Sequence, residues 1–422
     1  MPGPPNTISN MNPRRKEWLE PWHVNPSGSK TYDFIDGLRG IAILLVVGCH
    51  LIYYNPNAGR STRFIGEIFA AGAHGVTVFF VLSGFLISWP FWKSKVKGNS
   101  WVVPPGYGWR RFWKVYPPLA LSVIVFAPAC FLFTHNSELW KIALQWLAGV
   151  PLVRPVSGDL NPVMWSMIVE IHFYLVLPLM FLSVKKLSPN AALVALSAVF
   201  LVVPTAFRLL NARHDIYFTL HPVINTHFPS MLDAFALGIL VAGFDNLGMI
   251  NRSLARAGDA GLVLIGVALV LSGWLSANGI GEGPVRHEIT GWLVKAGAAL
   301  TLCYAGNPDH PRARLLSTQW LRWCGIISYE WYLFHQPLAF WTRSLAGQAG
   351  GNLLKYSALL CGPLVAGLLI AAVVYRCFSL PLLRRGRAKH RVEGVAAPVA
   401  VTASLQRGAE LARPGPGAAK GG

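Results

Sequence analysis

Residues 32–54 read YDFIDGLRGIAILLVVGCHLIYY, an apolar stretch with an arginine near one end and a histidine near the other. Arg39 and His50 are eleven residues apart. At about 100° per residue, an α-helix returns that pair to within roughly 20° of one face, about 16 Å apart along the axis. An ionisable side chain inside hydrocarbon is costly unless it is compensated. The stretch therefore predicts a membrane helix that carries a functional face.

Structural roles are also open for both residues. Arg39 lies close to the helix start, where its side chain could extend to the lipid headgroups. A neutral His50 could form an ordinary hydrogen bond between two helices. The choice between these interpretations depends on the rest of the chain.

The composition of the whole chain is that of a membrane protein. Of its 422 residues, 53% are hydrophobic and 13% are charged, which is unlike a soluble globular domain. About ten apolar runs approach the roughly twenty residues that a helix needs to cross the hydrocarbon, and they lack the alternation of a β-barrel. We therefore predict an all-α fold, a polytopic transmembrane helical bundle of about ten spans. The runs lie near residues 36–54, 73–92, 112–133, 163–183, 190–209, 229–244, 259–277, 288–306, 319–342 and 354–377.

The formal net charge of +19 is arranged as in a membrane protein. Lys and Arg residues concentrate in alternate loops between the apolar runs, which is typical of loops that stay in the cytoplasm. The pattern predicts that both termini are cytoplasmic and that the chain is a multi-pass protein of the cell inner (plasma) membrane. No nucleic-acid domain is needed to explain the charge. The six cysteines show no metal-ligand or redox spacing, so no metal site is predicted.

A basic cluster opens the third apolar run. Arg110, Arg111 and Lys114 lie there among aromatic residues. Guanidinium groups bind phosphates through paired hydrogen bonds, although the same charges could simply set the topology. A phosphate-bearing ligand would favour the binding role.

Ionisable side chains also occur within other apolar runs. Glu170 and Tyr174 are four residues apart and share a helix face. A carboxylate in the membrane needs a partner such as a histidine or arginine on a neighbouring helix. His335 lies in the ninth run, and His74 lies at a depth similar to that of His50. His74 could equally be an ordinary interfacial histidine.

Six motifs follow one another along the apolar runs, namely FIDGLRGIAILLVVGCH, HGVTVFFVLSGFLIS, WRRFWKVYPP, WSMIVEIHFYLVLP, PSMLDAFALGIL and SYEWYLFHQP. In this order they resemble the acyltransferase-3 family of integral membrane O-acyltransferases. The resemblance runs from about Tyr32 to Pro381. It implies a bundle of about ten helices that moves an acyl group, usually acetyl, from coenzyme A to a hydroxyl of a glycan, an antibiotic or a similar acceptor.

The resemblance also implies roles by position. Arg39 and His50 match the family's Arg-x10-His element, and Ser83 begins its Ser-Gly-aromatic element. Glu170 and His335 fall in its Glu-Phe-Tyr and Tyr-Leu-x-His elements. The basic cluster matches an Arg-x-x-Arg-type motif, with lysine at position 114 where arginine is more usual, so a charge is kept but a planar fork is lost. Serine stands at position 379, where the family often has glutamate, which leaves the role of that carboxylate open here.

Transfer from a thioester to an alcohol requires removal of the hydroxyl proton, stabilisation of an oxyanion and a hold on the donor. We expect His50 to be the general base, with Glu170 orienting or charging it as in a triad and Arg39 as a third catalytic residue. A covalent acyl-histidine or acyl-serine intermediate stays open. The donor is assigned to Arg110, Arg111, Lys114 and Arg39, and the acceptor to His74, Ser83, Tyr174 and His335.

Three segments are expected: an irregular cytoplasmic arm (1–30), a membrane acyltransferase domain (31–383), and a basic, then disordered, cytoplasmic tail (384–422). The expected partners are acyl-CoA as donor substrate, membrane lipid, and a hydroxyl-bearing glycan, lipid-linked sugar or secondary metabolite as acceptor. No permanently bound cofactor and no nucleic acid are expected. The alternative function is a proton-coupled transporter of a sugar or small metabolite, which also uses intramembrane ionisable residues, although no internal inverted repeat supports it.

Overall fold

The computed structural model describes residues 22, 32–52, 68–99, 103–153, 160–213, 228–278, 284–346 and 353–385. Within these ranges the regular secondary structure is helical, without strands, which confirms the all-α prediction. The main helices are α1 (Asp33–Ile52), α2 (Gly75–Val96), α3 (Tyr107–Thr134), α4 (Glu138–Leu147), α5 (Trp165–Ser183), α6 (Pro189–Arg213), α7 (Phe228–Asn246), α8 (Ala257–Ala277), α9 (Pro284–Thr301), α10 (Pro311–Leu316), α11 (Gln319–Ile326), α12 (Ser328–Ala346) and α13 (Leu353–Val374).

Seven helical segments in the described part of the chain are long and apolar enough to cross a membrane. They are Ile68–Val96, Tyr107–Leu132, Pro162–Ser183, Pro189–Arg208, Phe228–Asn246, Leu254–Leu275 and Cys361–Arg385. The chain is therefore a multi-pass membrane protein. Helices α1, α9 and α12 occupy the other three predicted spans, and all three carry ionisable side chains. The total of about ten spans and the cytoplasmic position of both termini stay predictions.

Helices α2 and α7 cross at very short distance in the middle of the bundle. A Cβ added to Gly84 of α2 would lie 2.2 Å from the carbonyl oxygen of Phe235, and one added to Gly238 of α7 would lie 2.0 Å from that of Val81. Two backbones approach this closely only where side chains are absent. The crossing also fixes the position of Ser83, the residue before Gly84.

Helix α1 packs against α2, α11 and α12. At its start, Asp33 Oδ1 pairs with Arg322 Nη2 of α11 over 2.7 Å. Further along, a Cβ added to Gly40 would lie 2.1 Å from the carbonyl oxygen of Leu321. Both Arg39 and His50 contact side chains of α12, so the structure confirms the helix face that their spacing predicts.

Helix α5 contains a proline that leaves one backbone acceptor without its usual partner. Pro178 has no N–H to donate to the carbonyl oxygen of Tyr174, four residues earlier. The hydroxyl of Tyr107 on α3 donates to that oxygen over 3.0 Å. An unpaired carbonyl in the membrane costs several kcal/mol, so this bond stabilises the backbone next to the Tyr174 side chain.

A buried ionic cluster joins α6, α7 and α9 on another side of the bundle. The carboxylate of Asp233 is 0% exposed, and its Oδ2 lies 2.9 Å from Arg208 Nη2 and 2.7 Å from Lys295 Nζ. Arg208 Nε lies 3.8 Å from Glu288 Oε1. Each charge therefore has a partner of opposite sign, as a low-dielectric interior requires.

Candidate active site

A cavity of about 80 Å³ lies between α1, α2, α3, α5 and α12. Its charged lining residues are Arg39, Arg111, Lys114 and Glu170. Three cations therefore face one carboxylate in this lining. Much of the remaining lining is aliphatic or aromatic, which lowers the local dielectric and strengthens interactions between charges.

The carboxylate of Glu170 is held by two hydroxyl groups. Ser83 Oγ on α2 donates to Glu170 Oε1 over 2.9 Å, and the hydroxyl of Tyr174 donates to the same oxygen. Arg111 lies over the Tyr174 ring, with its guanidinium carbon 5.7 Å from the ring centroid. The structure thus brings four of the predicted site residues together. In this arrangement Ser83 and Tyr174, which the sequence assigns to the acceptor, are hydrogen-bond partners of Glu170.

The basic cluster at the start of α3 divides into two parts. Arg111 and Lys114 line the cavity. Arg111 Nε is buried and has no hydrogen-bond partner within the described ranges. Arg110 lies towards the preceding loop, where its Nη1 donates to the carbonyl oxygen of Pro105. Arg111 therefore brings a guanidinium group to the cavity lining, and such a group binds anionic oxygens through charge-assisted hydrogen bonds.

Arg39 belongs to the cavity rather than to the neighbourhood of His50. Its Nη2 donates to Ser328 Oγ, at the start of α12, over 3.0 Å. Helix α1 therefore presents its arginine to the charged cavity and its histidine to a second place about three turns further along the axis.

His50 forms a hydrogen-bonded pair with His335. His335 Nε2 lies 3.0 Å from His50 Nδ1, and the ring centroids are 5.0 Å apart. His335 is 2% exposed, whereas His50 is partly exposed. Tyr332 lines the cavity and has its ring centroid 5.8 Å from that of His335. The histidine pair therefore adjoins the cavity through Tyr332.

The hydrogen bonds of Glu170 and His50 lead to different partners. In the described structure, Glu170 is bonded to Ser83 and Tyr174, while His50 is bonded to the backbone oxygen of Val46 and to His335. A triad of His50 with Glu170 therefore stays a prediction. The side chain that contacts the His50 ring nitrogen here is another histidine.

His74 immediately precedes α2 and is not among the described residues that line the cavity. Its ring is 5% exposed, and its Nε2 lies 3.1 Å from Thr290 Oγ1 of α9. A Cβ added to Gly291 would lie 3.4 Å from His74 Cε1. His74 thus packs into a contact between α2 and α9, and its assignment to the acceptor stays a prediction.

Two cavity hydroxyls were not assigned a role from the sequence. Ser166 Oγ and the hydroxyl of Tyr332 lie 2.7 Å apart and both line the cavity. The spacing held a signal for each, because Ser166 is four residues before Glu170 and Tyr332 is four residues after Ser328. Residues four apart share a helix face, so the sequence places Ser166 on the face of Glu170 and Tyr332 on the face of Ser328.

The chain is similar to proteins of a known family. The family described as an acyltransferase domain, acyltransferase-3, matches residues 32–376. No solved structure is significantly similar to the chain.

Three curated proteins illustrate the range of relatives. The exopolysaccharide production protein ExoZ of Rhizobium meliloti is 28% identical over 336 residues, which cover 78% of this chain and 96% of ExoZ. The peptidoglycan O-acetyltransferase OatA of Listeria monocytogenes is 25% identical, over 83% of this chain and 56% of OatA. The acyltransferase MdmB of Streptomyces mycarofaciens is 25% identical, over 81% of this chain and 87% of MdmB. The chain therefore spans only about half of the length of OatA.

Proposed function

The chain belongs to the acyltransferase-3 family, and from this membership we propose that it transfers an acyl group, acetyl by resemblance, from acyl-CoA to a hydroxyl of a carbohydrate or glycosylated acceptor. That it is a membrane acyltransferase follows from the family and from the helices that can span a bilayer. The donor, the acceptor and the plasma-membrane location are the proposed part. The transporter alternative loses its basis because the family is one of enzymes.

The charge of the cavity is the observation that supports an acyl-CoA donor most directly. Arg39, Arg111 and Lys114 outnumber the single carboxylate of Glu170 in the lining. An excess of positive charge in a low-dielectric site favours an anionic ligand. Coenzyme A carries phosphates, and guanidinium groups bind phosphates through charge-assisted hydrogen bonds. Arg111, which lines the cavity and lies over the Tyr174 ring, is the strongest candidate for such a contact.

The acceptor class is proposed from the printed names of relatives. ExoZ is named for exopolysaccharide production, and OatA for O-acetylation of peptidoglycan. Both polymers present sugar hydroxyl groups. A carbohydrate hydroxyl is therefore the acceptor that we propose for this chain, and a lipid-linked sugar or a glycosylated metabolite presents the same chemistry.

His50 is proposed to take the proton of the acceptor hydroxyl. Its imidazole is partly exposed and lies beside the cavity through His335 and Tyr332. A general base positioned in this way usually contributes about 10²–10⁴-fold to the rate. We assign to Glu170 the role of balancing part of the positive charge of the cations around it. Its Oε1 accepts hydrogen bonds from Ser83 and Tyr174, which line the cavity.

The proposal is tested with acetyl-CoA that carries a labelled acetyl group. Membranes that contain the protein and membranes without it are incubated with this donor, and label is then measured in lipid, glycan and small-molecule fractions. We expect protein-dependent label in a carbohydrate-containing fraction, with release by mild base as for an ester. Equal label in both membranes, with acetyl, succinyl and longer acyl donors and normal expression, would contradict the proposed function.

A further inference from the structure

The proton positions on the two paired histidines follow from the groups around them. His335 Nδ1 lies 2.8 Å from the carbonyl oxygen of Tyr332 and 3.2 Å from that of Trp331. Carbonyl oxygens only accept hydrogen bonds, so His335 Nδ1 carries a hydrogen. A neutral imidazole has one N–H. In the neutral ring, His335 Nε2 is therefore an acceptor.

The same reasoning applies to the ring of His50. Its Nδ1 lies 3.0 Å from the acceptor nitrogen His335 Nε2 and 2.9 Å from the carbonyl oxygen of Val46. Two acceptors that face one nitrogen require that this nitrogen be the donor. Both contacts thus place the hydrogen of neutral His50 on Nδ1. The lone pair of His50 is then on Nε2.

We propose that His335 is a positioning residue that keeps neutral His50 in the Nδ1–H tautomer and fixes the direction of its Nε2 lone pair. The proposal rests on the proposed role of His50 as general base. In a Ser-His-Asp triad, a buried aspartate accepts the Nδ1–H of the catalytic histidine and so fixes its tautomer. Here the buried, neutral ring of His335 accepts the Nδ1–H of His50 in the same way. His335 therefore positions His50 and does not itself contact the hydroxyl-bearing substrate.

The second acceptor of His50 cannot replace His335 fully. In an α-helix the carbonyl oxygen of Val46 already accepts the backbone N–H of residue 50. By contrast, His50 is the one partner of His335 Nε2 among the contacts described. Helix α12 keeps the His335 ring in place through the two backbone oxygens that accept its Nδ1–H. The pair therefore connects the orientation of the His50 ring to the backbone of another helix.

The proton balance of the transfer is complete with this tautomer. The acceptor hydroxyl gives its proton to His50 Nε2 while its oxygen forms a bond to the thioester carbon. The imidazolium that forms keeps its Nδ1–H on His335 Nε2. When the C–S bond breaks, the proton on His50 Nε2 is given to the thiolate that leaves. An ester and a free thiol result, His50 is neutral again, and His335 has not changed its protonation state.

Two substitutions of His335 separate its role as a hydrogen-bond acceptor from the packing of its ring. His335→Gln keeps an acceptor near the position of Nε2, because the glutamine amide oxygen can reach it. His335→Phe keeps a ring of similar size without an acceptor. We expect His335→Gln to keep kcat within about tenfold of the wild type, and His335→Phe to lower kcat by about 10²-fold or more, the contribution of a general base. KM for acyl-CoA should change little in both, because His335 is not among the described residues that line the cavity.

The tautomer itself is measured by NMR of the full protein in nanodiscs, with ¹⁵N-labelled histidine. A protonated and an unprotonated imidazole nitrogen have well separated ¹⁵N shifts, and His50→Ala identifies the signals of His50. The control is His172→Gln, which removes a different membrane histidine whose Nε2 lies 2.8 Å from the carbonyl oxygen of Leu152. We expect a protonated Nδ1 and a bare Nε2 in the wild type, His172→Gln and His335→Gln, and a mixture of tautomers in His335→Phe.

The outcomes distinguish the positioning role from the proposed function. A hydrogen on Nε2 of His50 in the wild type would overturn the positioning role. Loss of activity in His335→Phe with an unchanged tautomer would also overturn it, since the loss would then be structural. If the wild type has the expected tautomer but transfers no acyl group from any donor, the positioning geometry is supported and the proposed function fails.

Discussion

Asn161 Nδ2 donates a hydrogen bond to the carbonyl oxygen of Leu333 over 2.8 Å, and this contact joins the segment before α5 to α12. Pro337 lies four residues after Leu333 and has no N–H to offer that oxygen. Asn161 is 3% exposed, so water does not substitute for it easily. The contact stabilises the turn of α12 that carries His335.

Substitution of Asn161 should therefore depend on the residue at position 337. We expect Asn161→Ala to lower the free energy of unfolding by about 1–2 kcal/mol, the range for a hydrogen bond between membrane helices. In a Pro337→Ala background the new N–H can bond to the Leu333 oxygen, so Asn161→Ala should cost less. Denaturation of all four proteins in mixed micelles measures the coupling. If Asn161→Ala lowers the free energy of unfolding equally with proline and with alanine at position 337, then the bond from Asn161 does not compensate for the N–H that Pro337 lacks.

The crossing of α2 and α7 should tolerate no added side chain at Gly84. We expect Gly84→Ala to lower thermal stability and the yield of folded protein, because its Cβ would lie 2.2 Å from the carbonyl oxygen of Phe235. Gly266→Ala is the matched control, since nothing lies within 4 Å of a Cβ there. Unfolding temperatures in detergent compare the two. Similar stability of both variants would mean that the backbones do not meet at this distance.

The ionic cluster around Asp233 should be essential for stability. Asp233→Asn leaves Arg208 and Lys295 without the carboxylate they share, and removal of one partner of a buried pair costs about 3–5 kcal/mol. Adding Lys295→Met should restore part of the loss. The control is Asp309→Asn, because Asp309 is 85% exposed in its pair with Arg314. If the single and double variants unfold at the same temperature, the charges are not coupled.

Arg111 should contribute to donor binding more than Arg110 does. We expect Arg111→Gln to raise KM for acyl-CoA by about tenfold or more, since a hydrogen bond to a charged group contributes about 1.5–3 kcal/mol. Arg110→Gln should have a smaller effect, because Arg110 bonds to the Pro105 oxygen outside the cavity. Steady-state kinetics with varied acyl-CoA measure this. Arg314→Gln, an exposed position, controls for general loss of charge, and a KM for Arg111→Gln equal to that of this control would refute the assignment.

The sequence predicted the features that depend on one helix. The shared face of Arg39 and His50 follows from helical geometry, and both side chains do contact α12. The spacing of Glu170 and Tyr174 likewise places them together, and they are bonded. These predictions hold because hydrogen bonds within a helix fix the relative directions of nearby side chains, whatever surrounds it.

Which helices face each other could not be predicted in the same way. His50 and His335 are separated by 285 positions in the chain yet lie in contact. His74 contacts Thr290 of α9 and is not among the described residues that line the cavity. Depth in the membrane follows from hydropathy along one segment, whereas direction around the bundle depends on how all helices pack. The hydrogen bond of Glu170 with Ser83, and not with a histidine, likewise depends on how the helices pack.

The central claim is that His50 removes the proton of the acceptor hydroxyl during acyl transfer. The most direct test is the initial rate of transfer from labelled acetyl-CoA by His50→Ala and by wild type, at equal amounts of folded protein in the same membranes. We expect His50→Ala to be slower by about 10²-fold or more, with donor binding kept, because Arg39, Arg111 and Lys114 are unchanged. A His50→Ala protein that transfers acetyl at the rate of the wild type would contradict the claim.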